Sequence, residues 1–147
     1  MKKLFIYYSN SGNGDIVANY LKRKDFDIRK VKSKFKLSKN IFLSMMKGGF
    51  SAFIGSKPKL IDYNNDVSSY DEIYIGSPIW NGRLACPTNT ILKETDLSNK
   101  LLTFVLYSGS GDGKKVVFKL LKKYPNARII NLKEPKKYNQ ELEKIGE

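Results

Sequence analysis

Apolar and polar positions follow two alternating rhythms along this chain. Continuous apolar runs at Leu4–Tyr8, Ile73–Ile75 and Leu101–Tyr107 each lead into a loop, then into apolar residues at helical spacing. That succession is the signature of a βαβ architecture. Leu4–Tyr8 is strand one, and Ile16, Val17, Tyr20 and Leu21 define the helix after it. Phe26–Val31 is a shorter second strand, with Phe26 and Ile28 on one face and Asp27 and Arg29 on the other, as at a sheet edge. Ile41, Phe42, Met45 and Met46 mark a second helix stopped by Gly48-Gly49, and the stretch from Phe50 to Asn65 has no regular pattern. Ile73–Ile75 is strand three, and Pro87 suits the first turn of a helix carrying Ile91 and Leu92. Leu101–Tyr107 is strand four, apolar enough to be buried on both faces. Val116, Val117, Leu120, Leu121 and Tyr124 line the next helix; Arg128–Leu132 is strand five, and Tyr138, Leu142 and Ile145 mark a short last helix. With right-handed crossovers, the expected fold is α/β: a three-layer sandwich around a five-stranded parallel sheet in the order 2-1-3-4-5, one domain over residues 1–147.

Within that frame the stretch Tyr70–Gly82 carries the most information. It reads as a short buried strand ending abruptly in a Gly76-Ser77-Pro78 turn, with Trp80, the only tryptophan, on the loop just beyond. A tryptophan there is poorly placed for a core and well placed to stack on a flat ligand. The loops after strands one and four are likewise rich in Ser, Gly or Asn. Three such loops form one crevice at the carboxyl ends of the strands, where open α/β sheets bind ligands.

Composition narrows the chemistry. A 147-residue chain with 41% hydrophobic residues can bury a proper core. No segment approaches the roughly 20 apolar residues of a membrane span, and the run after Lys2-Lys3 is too short for a signal peptide. Cys86 is the single cysteine, which excludes an intrachain disulfide and fits a reducing cytoplasm. The absence of histidine removes Ser-His-Asp and Cys-His mechanisms and the common His-ligated metal sites. The net charge of +13 is concentrated in residues 20–60, where 12 Lys and Arg stand against Asp25 and Asp27. It reads as a solvated lysine-rich face or as a docking surface for an acidic partner; the chain shows no nucleic-acid-binding module.

Each loop has a plain reading beside a functional one. Ser9-Asn10-Ser11-Gly12-Asn13-Gly14 offers short polar side chains and exposed backbone N–H groups at a helix N-terminus, which suits a phosphate. It contains no Lys or Arg, so its site would use neutral dipoles. Otherwise it is a strand–turn–helix connection capped by Asn13 or Ser11. It is not a dinucleotide fingerprint, because Val17 holds the third glycine position. Gly109-Ser110-Gly111-Asp112-Gly113-Lys114-Lys115 is not a nucleotide P-loop either. It is one residue short, and Lys115 stands where Ser or Thr should bind Mg²⁺.

Together the three loops resemble flavodoxins, above all the short flavodoxin-like proteins whose second loop reads Gly-Ser/Thr-Pro-x-Trp-x-Gly with a Pro a few residues on. Gly76-Ser77-Pro78-Ile79-Trp80-Asn81-Gly82 and Pro87 match that pattern, and Ser9–Gly14 resembles the family's FMN phosphate loop, Ser/Thr-x-Ser/Thr-Gly-x-Thr. The resemblance runs from Leu4 to about Leu132 and implies FMN as cofactor. It implies that Ser9, Asn10, Ser11, Gly12, Asn13 and Gly14 hold the phosphate and that Trp80 stacks on the flavin, with Ser77, Pro78 and Ile79 lining the ring. The Asn81-Gly82 peptide would face flavin N5, where a flip of the peptide favours the neutral semiquinone of a one-electron carrier. Ser108, Gly109, Ser110 and Gly111 would close over the pyrimidine edge.

This chain departs from the family pattern in three ways. Gly14 replaces the usual Thr, Asp15 adds a negative charge just inside the helix, and the overall charge is basic where flavodoxins are acidic. A basic protein makes an anionic reduced flavin less costly and docks different partners. The implied function is an FMN-binding electron carrier with redox partner proteins, acidic ones fitting its charge. The alternatives are a small FMN-dependent reductase taking hydride from NAD(P)H and a flavin-free interaction module with a basic face. Neither Cys86, Arg83 nor the Asp71-Glu72 pair carries a marked catalytic signal.

Overall fold

The computed structural model describes residues 1–34, 40 and 55–147. The expected helix over Ile41–Met46 lies outside these residues. The elements are β1 (Lys3–Tyr7), α1 (Asn13–Lys22), β2 (Asp27–Lys30), β3 (Lys32–Ser33), β4 (Leu60–Ile61), β5 (Glu72–Trp80), β6 (Arg83–Leu84), α2 (Cys86–Glu94), β7 (Leu101–Ser108), α3 (Lys114–Lys123) and β8 (Arg128–Lys133), followed by a 3₁₀ helix at Asn139–Ile145.

The main sheet runs β2-β1-β5-β7-β8, these five strands parallel and in the expected order, with the short β6 added antiparallel to β5. Successive residues of a strand point to opposite faces, so each central strand feeds two cores. Leu4 and Ile6 of β1 join Ile73, Ile75, Phe104, Leu106, Ile91, Val116 and Leu120 under α2 and α3. Phe5 and Tyr7 join Tyr74, Val105, Tyr107, Val17, Leu21, Leu142 and Ile145 under α1 and the 3₁₀ helix. The three layers follow from that division.

Four local expectations are corrected. The third strand does not end at Ile75. It continues to Trp80, with Gly76, Ser77 and Pro78 in register opposite Val105, Leu106 and Tyr107. The proline is tolerated because Gly76 accepts the last bond from the β1 side, at Tyr8 N–H (3.2 Å). The missing N–H of Pro78, two residues on, would point to that same side, beyond the end of β1. Trp80 therefore sits on a strand and not on a loop. The irregular stretch before Asn65 contains β4, which pairs antiparallel with β3. The last helix is 3₁₀, its buried Leu142 and Ile145 three residues apart, the 3₁₀ period.

Candidate functional site

The loops after β1, β5 and β7 lie at the carboxyl edge of the sheet, each braced by its own hydrogen bonds. In the first loop Ser9 Oγ accepts from the Gly14 N–H at 3.1 Å, and Asn13 Nδ2 donates to Ser11 Oγ at 3.1 Å. Neither Asn13 nor Ser11 caps α1 as expected. The N-cap is Gly12 at φ 92°, which has no side chain to cap with; the one first-turn N–H held by a side chain is that of Gly14, on Ser9 Oγ. The positive end of the helix, whose N-cap residue offers no side chain, suits an anion.

Gly14 is a packing requirement. A Cβ there would lie 2.5 Å from the Tyr107 hydroxyl, 2.7 Å from Tyr7 Cδ2 and 2.8 Å from Ser9 Cβ. Tyr107, at the end of β7, reaches under the first loop and donates a short hydrogen bond to the Tyr8 carbonyl. Its full burial, together with Tyr7, Asp15 and Tyr8 nearby, pushes the phenol well above its ordinary pKa, so it remains a donor. The space that the side chain of a threonine in the loop would need is thus occupied by Tyr107, two strands away.

Asp15 is also better placed than its charge suggests. Its Oδ1 accepts from Lys30 Nζ and from the Tyr7 hydroxyl, each at 2.7 Å. Partial burial works against the carboxylate. The Lys30 and Tyr7 bonds and the charges of Lys30 and Lys136 outweigh it and hold the pKa below the ordinary value. Tyr7 shifts upward, through burial first and then the Asp15 contact.

A cation does stand at this loop, contrary to the all-neutral expectation. The Lys136 N–H donates to Asn13 Oδ1 at 3.0 Å, and its Nζ donates to the Ser11 carbonyl at 3.3 Å. No local signal in the sequence could have placed it there. It arrives through the turn after β8.

The second site segment is a hairpin. Ile79 pairs with Leu84 and Trp80 with Arg83, leaving the two-residue loop Asn81-Gly82 with φ of 48° and 70°. Two left-handed central residues make a type I′ turn, for which Asn-Gly is the preferred sequence. Ser77, expected beside a ring, is fully buried and serves the hairpin. It accepts from the Ala85 N–H (3.2 Å) and from the Thr88 hydroxyl (2.7 Å) and donates to the Pro78 carbonyl (2.9 Å). Trp80 is 8% exposed and packs edge to face with Tyr8 at a centroid distance of 5.8 Å. Its burial corrects the expectation of an exposed loop tryptophan, because the hairpin folds it back against the first loop. Pro78 is buried and Ile79 half-buried, while Asn81 is exposed. Cys86 is buried at the start of α2.

In the third loop Ser108 Oγ accepts from the Gly111 N–H (3.0 Å), Ser110 Oγ from the Asp112 N–H (3.1 Å) and Asp112 Oδ1 from the Lys114 N–H (3.1 Å). Gly109 and Ser110 remain exposed. Gly82 approaches the start of α3, where a Cβ on it would lie 3.5 Å from Lys115 Cδ. All sixteen residues expected at the site thus lie on three segments at one edge, though Ser77 is turned to internal bonding. Beside the hairpin, Arg83, Leu84, Leu92, Lys119, Leu120 and Tyr124 line a cavity of about 220 Å³.

Comparison with known proteins shows where such an arrangement recurs. No curated protein sequence matches. A candidate flavoprotein from Bacteroides uniformis is similar in structure, with TM-score 0.72 and 21% identity over 99% of this chain and 98% of that one. A flavoprotein from Lactobacillus acidophilus, solved in complex with FMN, is similar at TM-score 0.64 and 24% identity over 95% and 97% of the two chains. These likenesses establish a shared fold. The flavodoxin family itself matches residues 2–145, almost the whole length over which the sheet and its three loops extend, and the chain belongs to that family.

Proposed function

We propose that this protein binds FMN at the three-loop edge and carries electrons between partner proteins. The observation that carries this reading is the Ser9–Gly14 loop. It wraps the start of a helix whose N-cap, Gly12, has no side chain, in a family of flavodoxins and on a fold whose Lactobacillus relative was solved with FMN. The donor set suits a phosphate: a helix N-terminus, the hydroxyls of Ser9 and Ser11, and the Asn10 and Asn13 amides, while the repelling carboxylate of Asp15 is already answered by Lys30. FMN, when bound, supplies one- and two-electron redox chemistry at its ring. The chain supplies binding, orientation and electrostatics. Trp80 with Pro78 and Ile79 would line the ring, the Asn81-Gly82 turn would stand at its edge, and Ser108–Gly111 would close the far side.

Titrating cofactor-free protein with FMN, following the quenching of flavin fluorescence, tests the reading. Tight quenching by FMN, weaker with riboflavin and weaker with Trp80→Ala, is expected. Absence of quenching at micromolar protein would sink it and favour a flavin-free module. NAD(P)H oxidation by the pure loaded protein would instead favour the reductase.

The partner, in this reading, is an acidic protein. α3 carries Lys114, Lys115, Lys119, Lys122 and Lys123 around Phe118, which is 72% exposed. The helix opens directly from the third loop, so a partner seated there lies beside the proposed ring site. Lysines would steer an acidic surface toward it, and Phe118 offers an apolar anchor.

A further inference from the structure

The turn after β8 bridges two of the three loops. The Glu134 N–H donates to the Ser108 carbonyl at 3.0 Å, anchoring the turn to the third loop. The Lys137 and Tyr138 N–H groups close back on the Glu134 carbonyl at 2.8 and 2.9 Å. Two residues from that anchor, the Lys136 N–H holds Asn13 Oδ1 of the first loop at 3.0 Å. The backbone of Lys136 is therefore fixed at the first loop whatever its side chain does.

That side chain is exposed and reaches over the loop. Its Nζ donates to the Ser11 carbonyl at 3.3 Å and lies 3.5 Å from where a Cβ on Gly12 would be. Glycine at 12, with φ 92°, leaves this space open. The ammonium is held there by a neutral carbonyl, an acceptor that a phosphate oxygen outcompetes as a charge-assisted partner. Asp15, at the start of α1, takes its hydrogen bonds from Lys30 and Tyr7, and Lys136 acts on it through charge alone.

We infer that Lys136 is the cation that pairs with the phosphate of the bound flavin nucleotide, supplied to a loop with no basic residue of its own from more than a hundred residues away. This rests on the FMN reading and goes beyond it. It makes recognition of the phosphate partly ionic, and it assigns the decisive charge to the turn after β8. The lysine is a binding determinant with no part in the redox step.

The test compares FMN and riboflavin affinities of wild type, Lys136→Gln and Lys136→Arg at low and moderate ionic strength. Lys136→Gln keeps the backbone bond to Asn13 while removing the charge. It should bind FMN about tenfold more weakly, leave riboflavin affinity unchanged and flatten the salt dependence of FMN binding. Lys136→Arg should stay near wild type. Equal FMN affinity in wild type and Lys136→Gln would overturn the inference while leaving FMN binding intact. An equal loss for both flavins would also overturn it, by showing that the lysine only shapes the loop. If wild type binds neither flavin, the functional reading falls and this inference with it.

Discussion

Gly14 shows how a single residue is misjudged when its neighbour across the sheet is out of sight. In the sequence it is a lost hydroxyl in a phosphate loop. In the fold it is the position over which Tyr107 passes on its way to the Tyr8 carbonyl, with Tyr7 and Ser9 closing the other sides. None of these atoms is the free end of a flexible chain, so a methyl group cannot be absorbed cheaply. Gly14→Ala should lose about 1–3 kcal/mol in urea unfolding. Adding Tyr107→Phe, which removes the nearest clashing atom, should cost less than the two single losses combined, a coupling readable in a double-mutant cycle. Strict additivity would mean that the loop simply moves aside. Asp15 carries the same lesson in charge. It was legible as a repulsive carboxylate, yet Lys30 on β2, its partner, is fixed only by the pairing of β1 with β2.

At the scale of elements, the long hydrophobic strands and the three loops were readable because apolar runs and Gly/Ser/Asn clusters are local signals. The extent of β5 was not. Gly-Ser-Pro is a turn by composition and a strand here, because β7 offers a ladder to Pro78 while β1 has already ended. The true turn is the next one, Asn81-Gly82, and it sets where Trp80 points. Gly82 at φ 70° lies where a residue with a Cβ costs roughly 1–2 kcal/mol. Gly82→Ala is expected to lower stability by about that amount and to weaken FMN binding at the same time, measured by thermal unfolding and flavin titration. A stability loss with unchanged affinity would detach the hairpin from the proposed ring site. The cost should be confined to the turn, since Ser77 and Thr88 hold the hairpin base to α2 independently.

Over the whole molecule, charge is the property in which this chain departs from the pattern that the sequence resemblance implied. With 27 basic against 14 acidic residues, long-range steering favours acidic partners. Electron transfer from a reduced acidic ferredoxin to the FMN-loaded protein should slow as ionic strength rises, and transfer from the reduced protein to basic cytochrome c should speed up, in stopped-flow mixing. Lys119→Glu with Lys122→Glu should flatten the first dependence if α3 is the docking face. An unchanged salt slope would move the contact elsewhere on the surface.

What the sequence determined by itself was whatever nearest neighbours decide. Apolar continuity marked the buried strands, helical spacing marked the faces that cover them, and the Gly, Ser and Asn of the loops marked the edge where a ligand belongs. The tertiary structure alone decided which distant groups share that edge. Tyr107 lies under Gly14, Lys30 beside Asp15, and Lys136 over Gly12, each brought there by strand register or by the turn after β8. Hydrogen bonds and ion pairs act over a few ångströms in space, and separation along the chain leaves no trace of them in local pattern.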